Sequence, residues 1–398
     1  MACVVLKKGE GRGLSAGGFW IYDNEIDHIE GDYQEGGLVS VTASSGYPLG
    51  TGYINTRSRI TVRMMTRDAE AVIDGNFFER RLREAIEYRL RTTGLCACRL
   101  IFGEADRLPG LTVDKFHDIL VTQTLSLGME HLKVQIFPIL LRLLTEYGYP
   151  VRGIYERNDA RSRTLEGLER TQGFFGEPFD PHTVMEENGL FFEIDVQNGQ
   201  KTGFFLDQRY NRAAIRPMSH DARVLDCFCN AGGFGLNAAA AGAAHVVCVD
   251  ASQSAVDAAR ANAVRNGLAE RMDFICADVF ELLPELAEKG TQYDLVILDP
   301  PAFAKSRAAV KSAMRGYREI NRRGLALVRP GGFLATCTCS HFMTQDLFRQ
   351  TVAQAARDAK RRLLQVEERA QAPDHPILWG AGESAYLKFL LLQVLDER

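Results

Sequence analysis

The sequence predicts an α/β protein in three parts: a β-rich unit, a small α+β unit, and a C-terminal, mostly parallel, doubly wound sheet. Three observations carry this. From about Gly199 onward strand and helix signals alternate, as they do where crossover helices join parallel strands. Residues 223–250, RVLDCFCNAGGFGLNAAAAGAAHVVCVD, read as strand, glycine turn, helix, strand and terminal acid. Residues 1–73 carry short β-branched segments bounded by glycines.

The chain has 398 residues, 46% of them hydrophobic, which suffices for a large core and more than one domain. No uninterrupted apolar run approaches the ~18 residues of a membrane helix. The opening MACVVLKKGEGRG lacks the apolar core of a secretion signal, so a cytoplasmic location is expected. A net charge of −4 and a pI of about 6.1 do not announce a nucleic-acid binder; such binding has to come from local patches. Six of the nine cysteines form C-x-C pairs, at 96/98, 227/229 and 337/339. Structural zinc prefers C-x₂-C spacing with histidines nearby, so no metal is expected and most of these cysteines read as small apolar filler.

Taken in order, GLVSVTA (37–43), PLGTGYIN (48–55) and RITVRMM (59–65) predict strands of the first unit. Arg59, Arg63 and Arg67 fall on one face by the two-residue period, and a solvated charged face is the favoured account of them. NFFERRLREAIEYRLR (76–91) is helical, with an apolar stripe of Phe78, Leu82, Ile86 and Leu90; Arg80, Arg81, Arg83, Arg89 and Arg91 occupy its other faces. An RNA-facing surface and an ordinary solvated helix look alike there. Residues 74–197 form the α+β unit, with strands near 98–104, 111–116, 119–126, 153–158 and 190–196, a helix over 130–147, and a loop around 173–181. Residues 198–398 form the last unit. Its expected strands are 223–227, 245–250, 272–276, 293–298 and 332–338. Its helices fall near 234–241, 253–266, 279–289, 311–328 and 344–361. A final strand, 386–394, follows a loop and is expected as an antiparallel edge strand.

The glycine turn, with Gly232, Gly233 and Gly235, suits a nucleotide-type cofactor: glycine lets the backbone approach a ligand. Asp250 follows Gly232 by 18 residues, near the spacing at which an acid reaches ribose hydroxyls. A dinucleotide and S-adenosylmethionine compete for the turn. Downstream acids favour the second. Asp278 follows one strand and is placed to accept from an adenine amino group; Asp299 opens Asp299-Pro300-Pro301 directly after another. Ligands in such sheets bind at the carboxyl ends of strands, so Asp226, Asp250, Asp278 and Asp299 are expected to line one crevice. Single acids in these places are often helix caps.

The fifth strand leads into Thr338-Cys339-Ser340. A cysteine at that rim suits methylation at carbon 5 of a pyrimidine, which is not nucleophilic by itself. A thiolate adding to carbon 6 makes carbon 5 enamine-like, dividing one difficult step into easier ones. Asp299 is the natural partner at ring nitrogen 3. Cys337 and Cys339 share a face in a regular strand; Cys339 is chosen because it lies nearer the rim, although packing explains both. Such a base must be single-stranded or flipped out. Lys305, Arg307, Lys311 and Arg315 are placed to meet phosphates or to form a solvated helix face.

These residues resemble the bacterial large-subunit ribosomal RNA cytosine-5 methyltransferases, over nearly the whole chain. The resemblance is carried by GFWIYDNEI (18–26), GYPLGTGYINTRSRITVR (46–63), FGEADRLPGLTVDKF (102–116), NGQKTGFFLDQRYNR (198–212), FCNAGGFG (228–235), DPPAF (299–303), RGYREIN (315–321), TCS (338–340) and DHP (374–376). It implies a PUA domain, an α+β middle domain and a Rossmann-like methyltransferase domain. It also implies S-adenosylmethionine as donor, Cys339 as nucleophile, and an RNA-holding role for residues 1–73. The segment 200–208 would cover the cofactor through Lys201, Thr202 and Gln208. With it would stand Phe228, Cys229, Asn230, Gly232 and Gly233 at the turn, Asp250 and Ser252, Asp278 and Val279, and Asp299 and Pro300. Phe303, Lys305 and Arg315 would meet the substrate, large-subunit ribosomal RNA; a homodimer is compatible. The chain departs from the family at Asn230-Ala231, where Tyr-Thr is common, and at Ala302, where lysine is common.

Two alternatives remain. Related enzymes that methylate guanine in RNA also carry Asp-Pro-Pro before an aromatic, here Phe303, and need no Cys339. A non-catalytic assembly factor with the same fold would not need the set Asp250, Asp278, Asp299 and Cys339.

Overall fold

The computed structural model describes residues 1–304, 306–379 and 382–395. The chain forms two compact units: Met1–Met185 with Ile194–Leu206 and Pro373–Ser384, and Glu186–Glu193 with Asp207–Ala372 and the chain from Ala385.

The first unit opens with a six-stranded sheet built from β1 (Cys3–Leu6), β2 (Trp20–Tyr22), β3 (Ile26–Glu30), β4 (Leu38–Thr42), β5 (Pro48–Ile54) and β6 (Ile60–Thr66), ordered β2-β6-β5-β4-β1-β3. The three sequence-expected strands are β4, β5 and β6. Adjacent residues of a strand face opposite ways. Ile54, Val62 and Met64 therefore enter one core with Val4, Leu6, Val39 and Val41. Tyr53 and Met65 enter another with Phe78, Leu82 and Ile86 of the helix Gly75–Thr92. Because β6 is covered on both faces, Arg63 is not on a solvated face as the period suggested. It is buried and pairs with Glu166 at 2.9 Å, while Asn55 Nδ2 donates to the same carboxylate at 2.9 Å.

A five-stranded sheet follows: β7 (Ala97–Phe102), β8 (Leu111–Phe116), β9 (Ile119–Thr124), β10 (Gly153–Asn158) and β11 (Thr171–Phe175), ordered β11-β10-β9-β8-β7. The stretch read as a loop around 173–181 thus begins inside β11, which pairs with β10 across Gly173. The helix Gly75–Thr92 corrects a second expectation. Arg89 is fully buried, its guanidinium donating to Asp106 Oδ2 at 2.7 Å and to the Arg99 and Asp374 carbonyls. Arg81 donates to the carbonyls of Met65 and Arg107 at 3.0 Å. Both are internal struts, not an RNA-facing row; Leu90, assigned to the apolar stripe, is exposed.

The hairpin β12 (His182–Glu187) and β13 (Leu190–Asp195) contributes to both units. The second unit holds a seven-stranded sheet of β14 (Arg223–Cys227), β15 (His245–Asp250), β16 (Met272–Cys276), β17 (Tyr293–Leu298), β18 (Val328–Thr338), β19 (Arg362–Arg369) and β20 (Lys388–Leu395), ordered β16-β15-β14-β17-β18-β20-β19. β14–β18 run parallel, and β20 is antiparallel to both neighbours. The antiparallel strand is therefore one place in from the edge, with β19 outside it. β19 escaped sequence reading because RLLQVEER is only partly buried and charged, as edge strands commonly are. The strand order reverses between β14 and β17, where a crevice opens at the carboxyl ends.

Candidate active site

At that switch point β14 ends at Cys227. Phe228 and Asn230 take positive φ (64° and 48°) before Gly232 (φ 81°) starts the helix Gly233–Ala240. A side chain at Gly232 is strained by the backbone alone. The turn is tied down by main-chain donors: Cys229 N to Val249 O at 3.0 Å and Asn230 N to Asp250 Oδ2 at 3.0 Å. Asp250 Oδ1 accepts from Ser252 N at 2.9 Å. Asp250 is half-buried, and carboxylate oxygens retain further lone pairs for ribose hydroxyls. Gly235 serves a different purpose from the ligand approach read from sequence. A Cβ there would sit 2.4 Å from Cys248 Sγ, so its lack of side chain lets the helix pack on the sheet.

Beneath the turn Asp226 is fully buried. Its Oδ2 accepts from Gly235 N at 2.7 Å, while Oδ1 has no hydrogen-bond partner. Burial, reinforced by Asp299 and Asp250, pushes its carboxyl up to about 8. Asp226 thus lies under the crevice rather than along its open wall. A buried carboxyl oxygen without a partner, below a glycine turn, fits S-adenosylmethionine, whose ammonium and hydroxyl groups could pair with it. Asp278 is exposed and caps the helix Val279–Glu288 by accepting from Phe280 N at 2.7 Å; capping is part of its role.

Asp299 follows β17 directly and is half-buried. Gln208 Nε2 donates to its Oδ1 at 3.0 Å. Burial and the nearby Asp207 push the Asp299 carboxyl up to about 6, against the pull of Arg212, Cys337 and Gln208. Cys337 is fully buried within β18 and hydrogen-bonds Asp299; burial, then Asp299, hold its thiol well above the ordinary range. Cys339 stands one residue past the end of β18 and is half-buried. The strand's end at Thr338 is what separates the two cysteines.

Two loops at this rim are locked together. Tyr317 Oη accepts from Thr338 Oγ1 at 2.7 Å and from Phe303 N at 3.4 Å, and Ser340 Oγ donates to Ala304 O at 2.6 Å. The Phe303 ring, half-buried, packs 4.6 Å from that of Tyr317 and 6.1 Å from that of Phe280. Arg315 is exposed on the helix Val310–Leu327, whereas Lys305 lies outside the described residues.

Of the other expected cofactor residues, Gly233 and Pro300 are buried beside the turn and after Asp299. Val279 and Phe228 pack on the core of this unit. Cys229 is buried and hydrogen-bonds Cys248. Lys201 and Thr202 belong to the first unit. There the Lys201 ammonium sits 4.4 Å from the Phe205 ring centroid, and Thr202 Oγ1 donates to Asp114 Oδ2 at 2.6 Å. Sequence reasoning missed Asp207, Arg212 and Tyr317, because nothing in their spacing ties them to Asp299 or Thr338.

Residues 163–393 match the family described as S-adenosylmethionine-dependent methyltransferase, and residues 4–67 match a PUA-like domain. The chain is 44% identical to ribosomal RNA large subunit methyltransferase I of Aeromonas salmonicida, covering 98% of each chain. It is 41% identical to the protein of the same name from Pseudoalteromonas translucida, covering 99% of each. In structure it resembles a putative methyltransferase, SMU.776, complexed with SAH, at a TM-score of 0.84 and 19% identity over 99% of this chain and 100% of that one.

Proposed function

The chain belongs to the S-adenosylmethionine-dependent methyltransferases, and from that premise we propose that it forms 5-methylcytosine in large-subunit ribosomal RNA, with Cys339 as nucleophile. The names of its relatives support the RNA substrate. The observation that carries the base and the mechanism is a half-buried Cys339 just past the carboxyl end of β18, beside β17, which Asp299 directly follows.

S-adenosylmethionine, when bound, supplies an electrophilic methyl group. Gly232, Asp250, Ser252 and Asp278 would hold it, with Asp226 Oδ1 taking a donor from below. The Cys339 thiolate adds to carbon 6 of the cytosine, and the ring's electron density moves toward carbon 5 and nitrogen 3. Asp299 faces that nitrogen with Gln208 fixing one of its oxygens. A carboxyl raised to about 6 stays partly protonated near neutrality, where an ordinary aspartic acid has no proton left to donate. After methylation, a base takes the carbon-5 proton, the freed electron pair breaks the carbon 6–sulfur bond, and the Cys339 thiolate leaves as the aromatic ring is restored. The rim loops joined through Tyr317 and Ser340 hold Cys339 in place.

The test is mapping of 5-methylcytosine in ribosomal RNA incubated with the protein and with Cys339→Ala. One new 5-methylcytosine with the protein and none with the variant is expected. Near-normal methyl transfer by Cys339→Ala, or methylguanine in its place, overturns the reading.

A further inference from the structure

Next to Cys339 lies a buried cation the mechanism above does not use. Lys388 opens β20, opposite Thr338 of β18. Its residue is only 7% exposed. Its Nζ donates to the carbonyls of Ser340 at 3.0 Å and Tyr386 at 3.2 Å. Those bonds take two of an ammonium's three donors. Among the described residues no carboxylate lies within ion-pair distance of it. A buried ammonium without a counter-ion is costly, and such a site gains most from an anion arriving beside it.

Among the described residues at this rim, Tyr317 from the helix Val310–Leu327 and Cys337 from the same strand are neutral at pH 7, both pushed up by burial; Asp299, after β17, is an acid raised to about 6; and Lys388, from β20, is a cation. We propose that Lys388 is a positioning residue for Cys339: anchored on the Ser340 and Tyr386 carbonyls, its ammonium stabilises the Cys339 thiolate. The inference rests on the reading of Cys339 as the attacking group, and gives that group its activation. No proton needs to cross to the substrate; the thiol proton leaves to solvent and the ammonium keeps its own. Burial lowers Lys388 to about 8, with Cys339 pulling the other way, so the stabilisation operates below about pH 8 and fades above it.

The experiment is the pH dependence of iodoacetamide alkylation, followed at the Cys339 peptide by mass spectrometry in the full-length protein. The wild-type midpoint is expected below the free-thiol value of about 8.5. Lys388→Met is expected to raise it by about one unit, slowing alkylation at pH 7 roughly tenfold, while Lys388→Arg restores most of the loss. Binding of S-adenosylhomocysteine, measured by calorimetry, checks that each variant is folded. If Lys388→Met does not fold, the wild-type midpoint decides alone. A midpoint at or above the free-thiol value, or one unmoved in Lys388→Met, overturns the pairing. A shifted midpoint with methyl transfer surviving in Cys339→Ala would sink the nucleophile reading and leave the pairing standing.

Discussion

Gln208 donates its side-chain amide to Oδ1 of Asp299 at 3.0 Å, joining a residue just before the helix Arg209–Ala214 to the acid that follows β17. The bond favours the ionised carboxylate and opposes the burial that raises Asp299 to about 6. Hydrogen bonds to charged groups are worth about 1.5–3 kcal/mol, and about 1.4 kcal/mol is one pKa unit. Gln208→Leu should therefore raise the Asp299 titration midpoint by about one unit. Carboxyl-carbon NMR, with Asp299→Asn to assign the signal, checks this; an unmoved midpoint refutes it.

Asp226 makes stability depend on pH. Its folded value of about 8 lies above the unfolded value of about 4. Its contribution is thus fully present below about pH 4 and is lost as pH rises from there through about 8. Asp226→Asn keeps an acceptor for Gly235 N and has no proton to lose. Urea unfolding should show the variant gaining on the wild type from pH 5 to pH 8, by on the order of a few kcal/mol. Parallel stability curves would contradict the assignment.

The Arg63–Glu166 pair, at 2.9 Å with side chains 10% and 3% exposed, separates buried from exposed arginines. Removing one partner of a buried pair costs about 3–5 kcal/mol. Arg63→Met should lose stability in that range by urea denaturation. Arg59→Ala, on an exposed residue, should change it by less than about 0.5 kcal/mol. Equal effects would show that burial does not distinguish them.

Gly235 is predicted to be a packing position. An alanine Cβ 2.4 Å from Cys248 Sγ overpacks the helix against β15, at about 1–3 kcal/mol. Cys248→Ala in the same chain should recover part of the loss in thermal unfolding. No recovery would place the conflict elsewhere.

What could be read from sequence follows physical lines. The parallel strands β14–β17 were legible to the residue, because each is a short, largely apolar run bounded by turn or helix-start residues. β19 was not, since an edge strand carries charge and its apolar faces are half-buried. Arg63, Arg81 and Arg89 misled for one reason: periodicity assigns faces within an element but cannot show that a second layer covers the polar face. Asp299 and Cys339 were singled out because each stands at a strand end. Gln208, Tyr317 and Lys388 act on them across long stretches of chain, and no spacing encodes such contacts.

The central claim is that Cys339 bonds to the base it helps to methylate. Ribosomal RNA carrying 5-fluorocytosine tests this directly, since fluorine at carbon 5 blocks the final elimination. With S-adenosylmethionine present, a denaturation-resistant protein–RNA adduct is predicted for the wild type, absent in Cys339→Ala and retained in Cys337→Ala. No adduct with the wild type, or one that persists without Cys339, would contradict it.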